Sequence, residues 1–482
     1  MRKRLLAVFS FIIIVALMWN MTFSTLSYKD TGGGGGFQNF YATDQGLIDV
    51  LILGSSHAHC SVNNAKLWED AGIASFTLSS GNQSIDTTWT FLNEAFKTQH
   101  PKAVFIETYT FRNTTNDTDL ANVYRANLLP KWSTSVIRNV LAQKNNSLVS
   151  NTLMGELMLR FPVIHSRYEE LSEQDYYNDY WYKRGYIGSF DTAPVEHAAC
   201  TDSRTELNDK TIKYIDMIVD KCNKEGAKPF FFCAPYSISE EEYAYQNALS
   251  DYLAEKNVFY INMNSPEASL GIDYDSDFRG DDHLNNSGAA KVTDCIEKII
   301  SDEGLAKDHR GDEAYKTWDY DAVFLRDREL YHNLSNNSWD IASYLDCFKD
   351  EDSRFKFVVA FSGDYTAFGE ASYAMLESIG ISADAYEDGG IFVVSENSSI
   401  VHYPAETKGN ISLGKNDCSV TYTADGKCQL FYRLDEFAEI ENGLIVFVYD
   451  TTLDCPLDVV YLDFYNSGPE VIRNENVQLI GN

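Results

Sequence analysis

Residues 47–57 read Leu47-Ile48-Asp49-Val50-Leu51-Ile52-Leu53 and then Gly54-Ser55-Ser56-His57. The first part is a near-continuous apolar run, the pattern of a strand covered on both faces of a parallel sheet. Gly54 permits a tight turn, and serine is a favoured residue at the start of a helix. The segment therefore predicts a buried strand, a turn and a new helix, which is the unit from which α/β folds are built.

The same alternation of strand and helix continues along the first two thirds of the chain. Predicted strands cover 47–53, 73–78, 103–108, 229–233 and 258–262, and predicted helices cover 63–71, 87–99, 207–225, 239–256 and 288–302. This order favours an α/β doubly wound parallel sheet of the three-layer, flavodoxin-like kind. Residues 111–200 break the alternation and predict an insertion, expected to form a lid or substrate platform over the carboxyl ends of the strands.

The chain of 482 residues is too long for one ordinary domain. We predict an anchor over 1–27, a glycine-rich tether over 28–43, the α/β domain over 44–305, a connector over 306–320 and a second domain over 321–482. The sequence of this second domain predicts a strand-rich α+β fold. Predicted helices cover 340–348 and 368–379, and predicted strands cover 355–361, 391–394, 418–422, 429–433, 444–449 and 459–464.

The N-terminus places three basic residues, Arg2, Lys3 and Arg4, before an uncharged and largely apolar run from Leu5 to about Leu26. Such a run is long enough to cross a bilayer, and the basic residues favour an inside N-terminus. The competing interpretation is a cleaved signal peptide, but the run is long and lacks Ala-x-Ala at its end. We therefore expect a single-pass membrane protein whose bulk is extracytoplasmic.

Charge and cysteine usage exclude several classes of function. The net charge of −32 opposes binding to nucleic acid or to an anionic membrane surface. The nine cysteines are odd in number and form no CxxC pair, so they predict neither a disulfide framework nor a zinc site. No cofactor is expected.

Two segments carry residue types suited to nucleophilic catalysis. Ser56 lies on the turn after the first strand, and Asp281-Asp282-His283 lies just before the helix at 288–302. A serine hydroxyl needs a base to accept its proton, and the base needs a carboxylate that orients it. Each segment also has a plain structural interpretation, because Ser56 can simply begin a helix and His283 can simply pack near one.

These motifs resemble those of the SGNH/GDSL hydrolase superfamily. Residues 51–57 are similar to its first block, with Ser56 as the nucleophile, and 80–82 to its second, whose glycine, here Gly81, gives an oxyanion-hole NH. Residues 281–283 are similar to its last block, with Asp281 two residues before His283 as in alginate O-acetyltransferases. Most of the superfamily has the aspartate three residues before the histidine; here Gly280 stands there, so Asp282 or Asp277 remains an alternative to Asp281.

The third block of the superfamily departs from its pattern. An asparagine is expected after the strand that ends in Glu107, and this chain has Thr108-Tyr109-Thr110 there. A tyrosine hydroxyl can donate a hydrogen bond in place of the missing amide. Tyr109 is therefore one candidate oxyanion donor, and Asn82 is another.

Within the superfamily the chain resembles the membrane-anchored acyltransfer branch, which includes the lipoteichoic acid D-alanylation protein and the alginate O-acetyltransferases. The resemblance implies a serine O-acyltransferase or acylesterase acting on a cell-surface or secreted polysaccharide, with a polytopic membrane acyltransferase as partner. Residues 161–168 resemble a segment that recurs in this branch, so His165 and Arg167 are candidate substrate contacts, with packing of the insertion as the alternative.

Two other interpretations stay open. His57 and His59 together with His283 can indicate a metal site, although no carboxylate-rich triad is spaced with them and we expect no metal. The missing asparagine and the shifted aspartate favour a non-catalytic surface protein that binds glycan through its C-terminal domain. The presence of both Ser56 and His283 argues against that loss of activity.

Overall fold

A computed structural model describes residues 2–27, 36–127, 133–171, 184–280, 282–348, 354–363, 377, 380–382, 390–395, 399–403, 409–414, 416–424, 426–433, 435–463 and 470–473. The chain divides into two compact units, Met1–Ala322 and Val323–Asn482. The helix predicted over 368–379 lies, except for Glu377, outside the described residues.

The helices are α1 (Arg2–Leu26), α2 (Gly36–Ala42), α3 (Ser56–Ser61), α4 (Asn64–Ala71), α5 (Ile85–Ala95), α6 (Leu120–Asn127), α7 (Thr134–Ala142), α8 (Asn151–Leu159), α9 (Phe161–Ile164), α10 (Asp209–Glu225), α11 (Glu240–Glu255), α12 (Asn286–Asp302), α13 (Lys316–Asn336) and α14 (Ile341–Asp346). The strands of the first unit are β1 (Val50–Gly54), β2 (Ser75–Ser79), β3 (Ala103–Glu107), β4 (Lys228–Cys233), β5 (Phe259–Asn262), β6 (Phe278–Arg279) and β7 (His283–Leu284).

Five strands of the first unit form one sheet in the order β2-β1-β3-β4-β5. All four neighbouring pairs are parallel, which is the doubly wound arrangement that the sequence predicts. Successive side chains of β1 enter different cores: Leu51 and Leu53 pack on one face of the sheet, and Val50 and Ile52 pack on the other. Helices cover both faces, so the unit has three layers.

The insertion contributes to the core more than the sequence predicts. Helices α6 and α7 bury Val123, Val136 and Val140 in the cluster that also contains Leu51 and Leu53 of β1. The described part of the insertion is thus an extra layer beside α5, and it is not confined to a cover over the strand ends.

The glycine-rich segment ends earlier than the predicted tether. Residues 28–35 lie outside the described part, while Gly36–Ala42 forms α2. Phe37 and Phe40 of α2 are buried, and their rings contact Phe91 and Phe76. Apolar side chains that pack against the sheet explain why this part of the predicted tether is ordered.

One helix among the described residues is long and apolar enough to cross a membrane, over Ala7–Leu26 of α1. Its large apolar side chains are exposed along the span, as expected for a helix that faces lipid.

The second unit is an antiparallel β structure with helices on one side. Its strands are β8 (Phe355–Ser362), β9 (Ile391–Ser395), β10 (Ser399–Tyr403), β11 (Gly409–Ser412), β12 (Asp417–Tyr422), β13 (Cys428–Tyr432), β14 (Asp435–Ile440), β15 (Gly443–Asp450), β16 (Cys455–Asp463) and β17 (Ile472–Arg473). They form a sheet in the order β10-β9-β8-β15-β16-β17 and a second in the order β11-β12-β13-β14. One core joins the two sheets, and another lies between the larger sheet and helices α13 and α14.

Candidate active site

The parallel sheet brings three predicted site segments to one edge. Gly54 at the end of β1 pairs with Ser79 at the end of β2, and Leu53 pairs with Ile106 of β3. The loops that follow these strands carry Ser56, Gly81 and Tyr109. This is the edge at which open α/β sheets bind ligands.

Ser56 and His283 come together across 227 positions of sequence. The Ser56 hydroxyl lies 2.8 Å from His283 Nε2, in hydrogen-bond contact. Ser56 is the first residue of α3, and His283 lies in β7, which pairs with β6 immediately before α12. A base at hydrogen-bond distance from a serine hydroxyl is the arrangement that nucleophilic catalysis requires.

The two adjacent serines have different partners. Ser55 caps α3 by accepting a hydrogen bond from the His57 backbone NH at 3.2 Å, and its hydroxyl donates to Glu107 Oε2 at 2.9 Å. Ser55 therefore stabilises the turn, while Ser56 is directed at His283. The resemblance of residues 51–57 to the first block predicts the role of Ser56, whereas the contact of Ser55 with Glu107 is visible only in the structure.

Glu107 contacts the turn that carries Ser55 and Ser56. The sequence alone predicts no role for it. Its Oε1 accepts a hydrogen bond from the Tyr109 backbone NH at 2.6 Å, and its side chain is buried. Burial raises the pKa of this carboxyl to about 7, against the opposing effect of the hydrogen bonds from Tyr109 and Ser55. An acidic residue at the end of an otherwise apolar strand is the signal that points to it.

Three aspartates near His283 were candidates for the orienting carboxylate. Asp281 lies outside the described residues. Asp282 has a positive φ of 67° and accepts a hydrogen bond from the Ser237 backbone NH. Asp277 is buried and accepts hydrogen bonds from Ser287 and Lys291. The contacts of Asp277 give it a structural role at the start of α12, which leaves Asp281 and Asp282 as the candidates.

An aromatic stack lies against the pair. The His57 ring stacks on Tyr109 at 3.8 Å and on His283 at 4.6 Å between ring centroids. Tyr236 meets Tyr109 edge to face at 4.8 Å, and the Arg112 guanidinium lies 5.0 Å from the centre of the Tyr109 ring. Burial, with smaller effects of neighbouring histidines and arginines, holds the pKa of His57 well below its ordinary value. The stack thus offers His283 an uncharged neighbour.

The candidate oxyanion donors occupy different settings. Gly81 is half-buried, and the Arg125 guanidinium would lie 4.0 Å from a side-chain carbon added there. Asn82 is exposed with a positive φ of 50°, and its carbonyl accepts a hydrogen bond from Asn122. Tyr109 is joined to the Ser56 segment through the ring of His57. The exposed amide of Asn82 makes it the weakest of the three candidates.

Arg167 and His165 lie elsewhere. The Arg167 guanidinium donates to the carbonyls of Leu26 and Ser27 at 3.2 and 2.9 Å, at the C-terminal end of α1. His165 is exposed, and its Nδ1 contacts the Pro162 carbonyl at 2.7 Å. The Arg167 guanidinium thus lies where unpaired carbonyls at a helix end attract a cation. A substrate contact of Arg167 stays a prediction.

The histidines that can indicate a metal have other partners. His59 Nδ1 lies 2.9 Å from the Ser79 hydroxyl, and burial lowers the pKa of His59 to about 3. Among the described residues, three carboxylates that could hold a metal gather at Asp70, Asp294 and Glu297, where Lys66 forms ion pairs with both aspartates. That exposed acidic cluster belongs to α4 and α12.

A cavity of about 300 Å³ is lined in part by Asn82, one of the proposed oxyanion residues, while Ser56, His283, Gly81 and Tyr109 are not among its lining residues. It is lined by hydroxyl, amide and charged side chains, among them Asn82, Thr110, Asn113, Arg125 and Lys210. Such a lining suits a ligand rich in hydroxyl groups. Arg125 and Lys210 were not predicted, because they come from α6 and α10 and reach this place only through the fold.

Comparison with known proteins places the chain in no family. None of the family models and none of the curated proteins matches it. Among solved structures, a provisionally named acylhydrolase from Bacteroides fragilis matches with 10% identity and a TM-score of 0.30, over 56% of this chain and 95% of that chain. A likeness at this level assigns no activity to the chain.

Proposed function

We propose that this chain is an SGNH-type serine O-acyltransferase or acylesterase, anchored by α1 in the cell membrane with its bulk outside, that acts on a cell-surface or secreted polysaccharide. The observation that carries the proposal is the 2.8 Å contact between the Ser56 hydroxyl and His283 Nε2 at the carboxyl edge of a parallel sheet.

In the first half-reaction His283 accepts the proton of Ser56 while the serine oxygen attacks the carbonyl carbon of an acyl donor. The backbone NH groups of Ser56 and Gly81 stabilise the oxyanion, an effect of about 3 kcal/mol per donor. Asp281 or Asp282 holds His283 in the useful tautomer. The intermediate collapses to acyl-Ser56, and His283 returns its proton to the leaving group.

In the second half-reaction a hydroxyl group attacks the carbonyl carbon of acyl-Ser56 while His283 accepts its proton. The bond to the Ser56 oxygen then breaks, and His283 returns the proton to that oxygen. Water gives hydrolysis, and a sugar hydroxyl gives transfer. We propose the cavity lined by Asn82 and Thr110 as the place where a sugar acceptor binds, because its polar lining can hold several hydroxyl groups. A polytopic membrane acyltransferase remains the proposed source of acyl groups.

The adjacent serines allow a sharp test on the full chain in detergent or nanodiscs. A fluorophosphonate probe is expected to modify Ser56 and to leave Ser55 unmodified, as mapped by mass spectrometry. Ser56→Ala should abolish labelling. Ser55→Ala should still be labelled, at a lower rate, because it loses the cap on α3 and the hydrogen bond to Glu107 and keeps the Ser56 hydroxyl.

Turnover of an aryl acetate with and without an oligosaccharide acceptor then separates transfer from hydrolysis. Acetylated oligosaccharide indicates transfer, and free acetate alone indicates an esterase. If the probe labels neither serine and turnover does not depend on Ser56, the enzymatic proposal is wrong and the non-catalytic glycan-binding alternative replaces it.

A further inference from the structure

The segment that resembles a recurring part of the acyltransfer branch lies against α1. The Phe161 ring is 5.1 Å from that of Trp19, and the Arg160 guanidinium lies 4.6 Å from the centre of the Phe23 ring. Together with the cap from Arg167, these contacts join α9 and the turn after it to the last two turns of α1.

The position of these contacts along α1 defines a depth. Trp19 lies about 10 Å before Leu26 at 1.5 Å of rise per residue. Beyond Trp19 the helix carries the polar residues Asn20, Thr22, Ser24 and Thr25. Tryptophan is enriched at the boundary between headgroups and acyl chains. If α1 spans the membrane with Trp19 at this boundary, the bilayer thins to match the roughly 21 Å from Leu5 to Trp19, and Phe161 contacts α1 at that boundary.

The corner between α8 and α9 carries apolar side chains of the kind that insert into a membrane interface. Helix α8 ends at Leu159, the chain turns at Arg160 with a positive φ of 63°, and α9 begins with Phe161-Pro162. Leu159 is 69% exposed, whereas the side chain of the neighbouring Arg160 is buried. Exposing this apolar surface to water costs free energy, and the cost is removed when the corner enters the boundary between lipid headgroups and acyl chains.

We infer that this corner, Leu159–Pro162, enters the outer headgroup region of the bilayer that α1 spans and forms a second membrane contact. The inference rests on the proposed anchoring by α1 and does not depend on acyl transfer. The partner is the lipid surface itself, because the corner is continuous with the lipid-facing helix through Trp19 and Phe161. Two contacts hold the first unit in one orientation, which a single helix followed by a tether does not do.

The test uses the full chain in phosphatidylcholine nanodiscs with a lipid-soluble carbene photolabel, and maps the modified residues by mass spectrometry. Label is expected within Ala7–Trp19 and also at 158–162. Leu159→Ser should reduce label at 158–162 severalfold and leave label in α1 unchanged. Leu141→Ser is the matched control, because Leu141 on α7 is another exposed leucine, at 56%.

Three outcomes contradict the inference. Label confined to α1 means that the corner lies in solvent or against protein. Equal label at Leu141 and Leu159 means that exposed leucines take up the reagent without insertion. Loss of residues 1–26 from the mature chain, read by N-terminal sequencing, shows that the anchor itself fails. A normal fluorophosphonate reaction at Ser56 in any of these cases leaves the proposed chemistry standing.

Discussion

The carboxyl group of Glu107 contacts the turn that carries Ser56 through its hydrogen bond with Ser55. Burial raises its pKa from the ordinary value of 4.5 to about 7. Between these two pH values the folded protein therefore binds more protons than the unfolded chain, and its stability falls as pH rises through that window. The contribution of this group is fully favourable below pH 4.5 and is lost above pH 7.

Glu107→Gln should remove this pH dependence. The amide oxygen can still accept from the Tyr109 NH, and the amide NH can donate to Ser55, whose hydroxyl can also accept. Relative to wild type, the variant should gain about 3 kcal/mol in free energy of unfolding between pH 4.5 and pH 8. Urea-dependent hydrogen exchange of β1 and β3 measures it. The exposed Glu240→Gln is the control, and parallel pH profiles for wild type and Glu107→Gln would contradict the expectation.

Tyr109 and Tyr236 test the altered oxyanion hole. If the Tyr109 hydroxyl replaces the missing asparagine, Tyr109→Phe should lower kcat by about 100-fold with little change in KM. The phenylalanine keeps the ring that stacks on His57. Tyr236→Phe is the matched control, since the buried Tyr236 hydroxyl has no hydrogen-bond partner among the described residues. Equal kcat values for both variants and wild type would leave Gly81 as the candidate donor.

At the scale of elements, the turn between β1 and α3 leaves no room for a side chain at Gly54. A side-chain carbon at Gly54 would lie 2.6 Å from Cβ of Glu107 and 3.0 Å from Cβ of Ala58, at a φ of +155°. Gly54→Ala should therefore destabilise the first unit by about 2–4 kcal/mol and slow the labelling of Ser56. Gly155→Ala in α8 is the control, because nothing lies within 4 Å there. A helical alanine should be neutral or stabilising by up to about 1 kcal/mol. Equal stability of the two variants would exclude a packing role for Gly54.

The elements also show what the sequence can and cannot predict. All five parallel strands follow from apolar runs, but β1 begins only at Val50, where pairing with Ser75 and Ala103 starts. An apolar run marks burial and does not mark hydrogen-bonded register. Ser56 and His283 were predictable because strand ends are local features of sequence.

Other parts of the site were not predictable because they depend on contacts between distant segments. Arg112 and Tyr236 reach the aromatic stack from different loops, and nothing near them in sequence marks them. The resemblance of its segment makes Arg167 a candidate substrate contact, with packing of the insertion as the alternative, and this stays a prediction. Only the fold shows that it lies at the end of α1, 140 positions away from Ser27.

At the scale of the whole molecule, each unit has cores of its own. The first unit has a core on each face of its parallel sheet, and the second has one between its sheets and one under its helices. Units with separate cores are expected to unfold in separate steps, so a two-state treatment does not describe the full chain. A substitution in one core should shift one step alone.

Arg354 provides that substitution in the second unit. Its guanidinium donates to Asp327 at 2.8 Å and to Asp450 at 2.9 Å, and all three side chains are buried. Arg354→Met would leave two buried carboxylates without this shared cation, which should cost about 3–5 kcal/mol. Lys427→Met, which removes the surface pair with Glu439, should cost less than about 1 kcal/mol. Hydrogen exchange resolved by strand should show the loss in β8 and β15, with β1 and β3 unchanged and Ser56 labelled at the wild-type rate. Destabilisation of β1 by Arg354→Met would mean that the two units unfold together, because the free-energy cost of a buried charge in one unit would then lower the stability of the other.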